Sequence, residues 1–348
     1  MTQQSDIEAC RELLRDGSRT FFAASLVLPR AVSDPAIALY AFCRKADDAI
    51  DLGQGSRMEA LEQLEDRLML AYAGNPYPDP ADRAFADVVA RFSIPRELPA
   101  ALIEGLAWDT QVRRYDSLSD LLAYAVRVAG TVGAMMSLLM EQREPDVVAR
   151  ACDLGIAMQL TNIARDVGED ARAGRLYLPR QWMRELGIDP ERWLSDPQFD
   201  DRIAQVISRL LAIADIFYER SVAGIDRLPR TCRPGIHAAR LIYAEIGREV
   251  ERAGHDSVSR RAFVSSSRKL GLLGHAFAAS FAATRLAPES AQPEARFLID
   301  AVAASLPPRV ASSIKPARKG AVDKAVWVIE LFERLERREQ LMRSGRAS

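Results

Sequence analysis

The sequence predicts an all-α protein, on three observations. Proline-free runs cover residues 100–144, 146–178, 198–228, 235–287 and 317–348, which are helix lengths and not strand lengths. These runs are rich in Ala, Leu, Arg and Glu, the residues that lose least on entering a helix. Apolar residues recur at intervals of three and four, as in Leu118, Leu121, Leu122, Ala125 and Val128, and no alternating β-branched run flanks an Asn-Gly or Asp-Gly pair. With 348 residues, 48% of them hydrophobic, and 19 Gly and 18 Pro, the chain can bury a large core and is neither disordered nor collagen-like.

Taken from the N-terminus, MTQQSDIEACRELL lacks the basic start and apolar run of a secretory signal. The longest apolar stretch, at 129–140, has 12 residues where a membrane span needs about 20, so a cytoplasmic chain is expected. Breaks fall at 75–80, 94–99, 144–145, 178–179, 189–197, 228–234 and 286–293. None is long enough for an interdomain linker and no fixed period repeats, so one helical domain is expected over 1–308. Residues 309–348 carry ten Lys or Arg against five acids, and Val322, Val326, Ile329 and Phe332 recur at helical spacing. The tail from Lys319 to Arg343 is either an ordinary amphipathic surface helix or a peripheral membrane contact. The net charge of −1 provides no general basic field for nucleic acid. Cys10, Cys43, Cys152 and Cys232 are scattered without a C-x-x-C pair and read as small core residues in a reducing compartment. His237, His255 and His275 form no metal or triad pattern.

The most informative segment is YAFCRKADDAID, at 40–51. At about 100° per residue, Asp47 and Asp51 lie about 40° apart, and Tyr40, Arg44 and Asp48 share their sector. Like charges at this spacing weaken a helix by a few tenths of a kcal/mol, so the arrangement suits a bound cation, although such a cluster alone also describes a solvated face. The second segment is QLTNIARDVGED, at 159–170, where Gln159, Asn162, Asp166 and Asp170 share a sector of about 80°. Its flanks, Leu154, Ile156, Ala157, Met158, Leu160 and Ile163, mark a mostly buried helix, in which an unpaired carboxylate costs several kcal/mol.

Each stripe contains D-x-x-x-D. Mg²⁺ takes an octahedron of hard oxygens, one or two from carboxylates and the rest from water and phosphate, so two facing acidic helices suit Mg²⁺ ions and a diphosphate. Arg44, Lys45 and Arg165 are near in sequence to take the remaining phosphate charge. The plainer reading is two surface stripes with ion pairs such as Arg44 with Asp47. Gly168 inside the second stripe lets a neighbour or a ligand approach, and VAGTVGAMMSLLM either brings a helix to a cavity through Gly130 and Gly133 or is a small-residue packing seam.

These segments resemble the squalene/phytoene synthase family, most closely its bacterial phytoene synthases. The resemblance is carried by GSRTFF at 17–22, by YAFCRKADDAID, by YAVRVAGTVG at 124–133, and by QLTNIARDVGED with RLYLP behind it. Weaker echoes at Arg261 and Lys269 extend it, so that it covers roughly 10–275. It implies a single terpenoid-synthase-like helical bundle with a central cavity. It also implies Mg²⁺-dependent head-to-head condensation of two geranylgeranyl diphosphates, through cyclopropylcarbinyl (prephytoene) diphosphate, to phytoene with release of two diphosphates, the first step of carotenoid biosynthesis.

By motif position, the resemblance implies Asp47, Asp51, Asp166 and Asp170 as catalytic metal ligands, with Asn162 as a further oxygen ligand and Mn²⁺ as a substitute ion. Tyr124 is implied as a catalytic residue, and Ser18, Arg19, Thr20, Tyr40, Arg44, Gln159, Asn162, Arg165, Tyr243 and Arg261 as substrate-binding residues. The rings of Phe21, Phe22, Tyr40 and Tyr124 would stabilise a carbocation. One departure is Gly17, where many members have His. No NADPH is expected, and the implied partners are geranylgeranyl diphosphate, a membrane surface and other isoprenoid or carotenoid enzymes. The alternatives are a farnesyl-diphosphate-using sister that makes squalene, dehydrosqualene or presqualene diphosphate, and a non-catalytic helical scaffold.

Overall fold

Residues 4–17, 27–52, 57–281 and 290–305 are described in a computed structural model, and every regular element among them is helical. The long elements are α1 (Gln4–Gly17), α2 (Arg30–Leu52), α3 (Arg57–Tyr72), α4 (Pro80–Phe92), α5 (Glu97–Thr110), α6 (Leu118–Leu139) and α7 (Pro145–Arg172). After two short helices, α8 (Arg180–Glu185) and α9 (Pro190–Ser195), come α10 (Asp201–Ile225), α11 (Arg233–Arg252), α12 (Ser266–Ala279) and α13 (Arg296–Ala304). The predicted all-α class stands. The basic tail and its boundary at 309 lie outside the described residues.

Proline sits at the first position of α4, α7 and α9, where its missing N–H costs nothing. Asp79 and Asp200 accept from the first free N–H groups of α4 and α10. Two breaks fall inside proline-free runs. Residues 111–117 turn through Val112 at φ 50° and end in a capping box in which Ser117 and Asp120 bond each other's backbone N–H. α11 stops at Gly254 and His255, with φ 70° and 62°, the left-handed exit that glycine permits.

α6 continues well N-terminal of the 12-residue stretch that the sequence singled out, because Arg127 interrupts the apolar run without ending the helix. The helix is long and apolar enough to cross a membrane by length and composition, yet 67% of its most apolar window is buried inside the bundle. It widens to a π turn at Val126–Gly130, where Thr131 donates its hydroxyl to the Arg127 carbonyl at 2.6 Å.

α7 is the axis of the fold. It packs along α10 for most of its length and touches α6 and α11, so Cys152, Ile156, Ala157, Leu160, Ile163, Ala164 and Val167 are all buried. At α6 the backbones meet: a Cβ on Gly133 would lie 2.1 Å from the Ala151 carbonyl oxygen, and one on Gly155 2.2 Å from that of Ala129. Gly133 also lines the central cavity, so the small-residue motif is both seam and wall. Among the cysteines, Cys10, Cys152 and Cys232 are buried as expected, whereas Cys43 is half-buried and faces the cavity.

Candidate active site

The cavity has a volume of about 320 Å³ and runs between α2, α6, α7, α10 and α11. One stripe of α7 builds its long wall: Val147, Arg150, Ala151, Leu154, Gly155, Met158, Gln159 and Asn162, spaced at threes and fours. Because α6 and α7 are antiparallel neighbours, Met140 lies at the Val147 end. Tyr40 and Cys43 of α2 and Tyr243 of α11 also line it; like Gln159 and Asn162 they are half-buried, whereas Met140 and Val147 are buried, so the Asn162 end is the mouth and the Val147 end is closed. Gln159 and Asn162 therefore belong both to the apolar wall and to the polar stripe that continues through Asp166 and Asp170.

Beyond this mouth, Asp166 is held by two guanidiniums. Arg165 donates through Nε and Nη2 at 2.7 and 2.5 Å, and Arg261 through Nε and Nη2 at 2.9 and 3.2 Å. Arg261 also reaches Glu169 at 3.2 Å. It can do so because the loop at 253–265 lies directly on α7: the Gly168 N–H donates to the Ser257 carbonyl at 3.0 Å, and a Cβ at Gly168 would lie 2.1 Å from the Val258 carbonyl oxygen. The glycine thus admits a protein neighbour, the loop that carries Arg261. One turn further, burial and then the Asp166 charge push the Asp170 carboxyl up to about 7, against the pull of Arg175.

A second carboxylate stands beside Asp170. Tyr124 and Tyr177 donate their hydroxyls to the two oxygens of Asp109 at 2.8 and 2.7 Å. With Tyr115 the two rings form a cluster with centroids 5.2 to 5.9 Å apart. On α2, Arg44 forks onto Asp48, with Nε and Nη2 contacts of 3.1 and 2.6 Å. The Lys45 ammonium pairs with Asp79, the cap of α4.

The squalene/phytoene synthase family model matches residues 14–268. The phytoene synthase of Cereibacter sphaeroides is 54% identical over 326 residues, 89% of this chain and 91% of that one. The chain belongs to the squalene/phytoene synthase family. The 15-cis-phytoene synthase of Pantoea ananas is 36% identical over 78% of this chain and 91% of its own. A dehydrosqualene synthase crystal structure superposes with a TM-score of 0.72 at 32% identity, covering 79% of this chain and 96% of that one. The squalene synthase HpnC of Alicyclobacillus acidocaldarius superposes with a TM-score of 0.67 at 27% identity, covering 72% and 95%. A squalene/phytoene synthase is a prenyltransferase of the kind that uses a divalent metal.

Of the residues the family motifs single out, Tyr40, Gln159, Asn162 and Tyr243 line the cavity, and Arg165 and Arg261 converge on Asp166. Tyr124 stands apart: it is 4% exposed, does not line the cavity, and its hydroxyl is engaged by Asp109. Lys45, expected near phosphate, is committed to Asp79, and Arg44 pairs with Asp48. Asp47 and Asp51 belong to the last turns of α2, and their side chains lie outside the described residues, as do Ser18, Arg19, Thr20, Phe21 and Phe22. Sequence reasoning missed Asp109 and Tyr115 altogether. Tyr177 was within reach, since it is the tyrosine of RLYLP.

Among the described residues, no three His, Cys, Asp or Glu side chains already stand together as a metal cage. The donor set nevertheless fits a hard divalent ion, because Asn162, Asp166 and Asp170 offer only oxygen and amide groups on successive turns, where burial first, and then the Asp166 charge, resists ionisation of Asp170 and a cation would relieve it.

Proposed function

We infer that this chain is a phytoene synthase that joins two molecules of geranylgeranyl diphosphate head to head, through a cyclopropylcarbinyl diphosphate, and releases two diphosphates. The observation that supports this reading is the shared stripe on α7, on which Gln159 and Asn162 line a long apolar cavity and Asp166 and Asp170 follow at helical spacing. Val147 and Asn162 are fifteen residues apart, which corresponds to about 22 Å along the helix. An extended sixteen-carbon main chain, at about 1.2 Å per bond, spans about 18 Å, whereas the farnesyl chain spans about 13 Å and would leave the far end empty. The 54% identical relatives carry the name phytoene synthase, which points the same way.

Asp166, Asp170 and Asn162, together with Asp47 and Asp51 of the first motif, would hold Mg²⁺ ions, with Mn²⁺ as a substitute. When bound, the ions stabilise charge on the departing diphosphate as Lewis acids. Arg165 and Arg261 share that work: each now neutralises Asp166, and each has a planar fork suited to phosphate oxygens. The apolar wall would keep water from the allylic cation, and the ring of Tyr40, which lines the cavity, would hold it by a cation–π contact. The final cation loses a proton, so no hydride donor is required. We assign the enzyme to the cytoplasm.

The test is product identification with the purified protein, given geranylgeranyl or farnesyl diphosphate, each with and without NADPH and with Mg²⁺ or EDTA. The expected result is phytoene from the twenty-carbon donor, dependent on the metal and indifferent to NADPH. Squalene formed only with NADPH would move the protein to the sister activity.

A further inference from the structure

The closed end of the cavity is built differently from its walls. Met140, Val147 and Leu228 close it, and the single charged side chain of the lining, Arg150, lies among them at 6% exposure. Arg150 is held there firmly. Its Nε pairs with Asp153 at 3.1 Å, and Arg220 of α10 meets the same carboxylate oxygen at 3.1 Å. Both guanidiniums donate to the Ser290 carbonyl, at 3.2 and 2.8 Å. Asp153 is fully buried, so opening this arrangement would strand a charge. The Arg150 stem also lies against α10 at Gly224, where a Cβ would come within 2.4 Å of the Arg150 Cβ. The end of the cavity is therefore stiff.

One turn of α7 above this floor the wall recedes. Only the methyl group of Ala151 faces the cavity there, and Gly133 of α6 packs directly against the Ala151 backbone, adding no side chain to that part of the wall. A helical turn rises about 5.4 Å, and the four main-chain bonds of one isoprene unit extend by about 5 Å. Side chains on successive turns of α7 thus face successive five-carbon units of a chain lying in the cavity.

We infer that the floor made by Met140, Val147 and Leu228, braced by Arg150, fixes the length of the prenyl donor, and that Ala151 keeps the cavity open for the last five-carbon unit. The inference rests on the proposed prenyl-diphosphate activity and adds the residues that select among donors. A phenyl group at 151 raises the floor by one unit. Trimming Met140 or Leu228 lowers it.

The experiment compares the full-length enzyme with Ala151→Phe, Ala151→Leu, Met140→Ala and Leu228→Ala. Fifteen-, twenty- and twenty-five-carbon diphosphates serve as donors, and the readouts are kcat/KM for diphosphate release and product mass. Ala151→Phe is expected to lower kcat/KM for the twenty-carbon donor about a hundredfold, while the fifteen-carbon donor is used at least as well as by the wild type. Met140→Ala and Leu228→Ala are expected to gain turnover of the twenty-five-carbon donor. Equal loss of both shorter donors in an Ala151 variant with unchanged melting temperature overturns the inference, as does an unchanged donor preference. If neither Ala151 variant folds, the two trimming variants decide, and no gain with the longer donor overturns it. A wild-type enzyme that uses only the fifteen-carbon donor would refute the twenty-carbon reading above, and the floor would still be tested by the same one-unit shift in Ala151→Phe.

Discussion

Replacing Gly168 with alanine adds one methyl group at the place where the loop at 253–265 rests on α7. The new Cβ would lie 2.1 Å from the Val258 carbonyl oxygen, and ordinary contact begins near 3.4 Å, so the loop must retreat by about 1 Å. Retreat breaks the Gly168 to Ser257 backbone bond at 3.0 Å and the bond from Arg172 to the Val258 carbonyl at 3.1 Å, each worth about 1 kcal/mol. Alanine returns about 1 kcal/mol of helix propensity, leaving a net loss of about 1 to 2 kcal/mol with strain included. The larger effect is on chemistry. Arg261 is only three residues beyond Val258, and a displacement of about 1 Å in a positioned charge can cost on the order of a hundredfold in rate. Melting curves and steady-state diphosphate release would measure both effects, with Gly274→Ala as the control, because its added Cβ meets nothing within 4 Å. That control should be at least as stable as wild type and fully active. Melting temperature and turnover both equal to wild type in Gly168→Ala would refute the proposed role of this contact.

In EDTA, Asp170→Asn should stabilise the protein above pH 7 and leave it unchanged near pH 4. The native carboxyl binds its proton up to about pH 7 where the unfolded one releases it near 4, so wild-type stability falls through that window by up to about 4 kcal/mol. Turnover should be lost in the same variant, and a lower melting temperature at pH 8 would contradict the burial argument. Asp166→Asn should do the opposite to metal-free stability, because Arg165 and Arg261 lose their shared partner. Asp109→Ala strands two tyrosine hydroxyls and should cost about 2 to 4 kcal/mol in chemical unfolding, whereas unchanged stability would mean that Tyr124 and Tyr177 find other acceptors.

Helical periodicity made α7 legible before any coordinates, because its apolar and oxygen-bearing positions repeat at three and four along 28 residues of one uninterrupted helix. The same logic failed for groups that meet across the fold. Tyr177 comes to Asp109 from 68 residues away and Arg261 to Asp166 from 95, and although motif resemblance touches Tyr177 and Arg261, helical periodicity pairs neither with its carboxylate. Lys45 shows the same limit. Its neighbours in sequence are acids of the motif, yet the helix turns it toward Asp79, 34 residues on. The loop carrying Arg261 was hidden because Gly254 and His255 end α11 through left-handed backbone, with no proline to announce the break.

Because one helix carries both the oxygen stripe and the apolar wall, the two share a phase. A single residue inserted between Met158 and Asn162 would turn everything beyond it by about 100° and swing Asp166 and Asp170 away from the mouth while the wall below stayed in place. Deletion would swing them the other way. Substitution can therefore retune the wall position by position, but a length change within this stretch either turns the oxygen donors off the wall's face or, in whole turns, carries them about 5 Å or more along the axis. In this helix the count of residues is under tighter constraint than most of their identities.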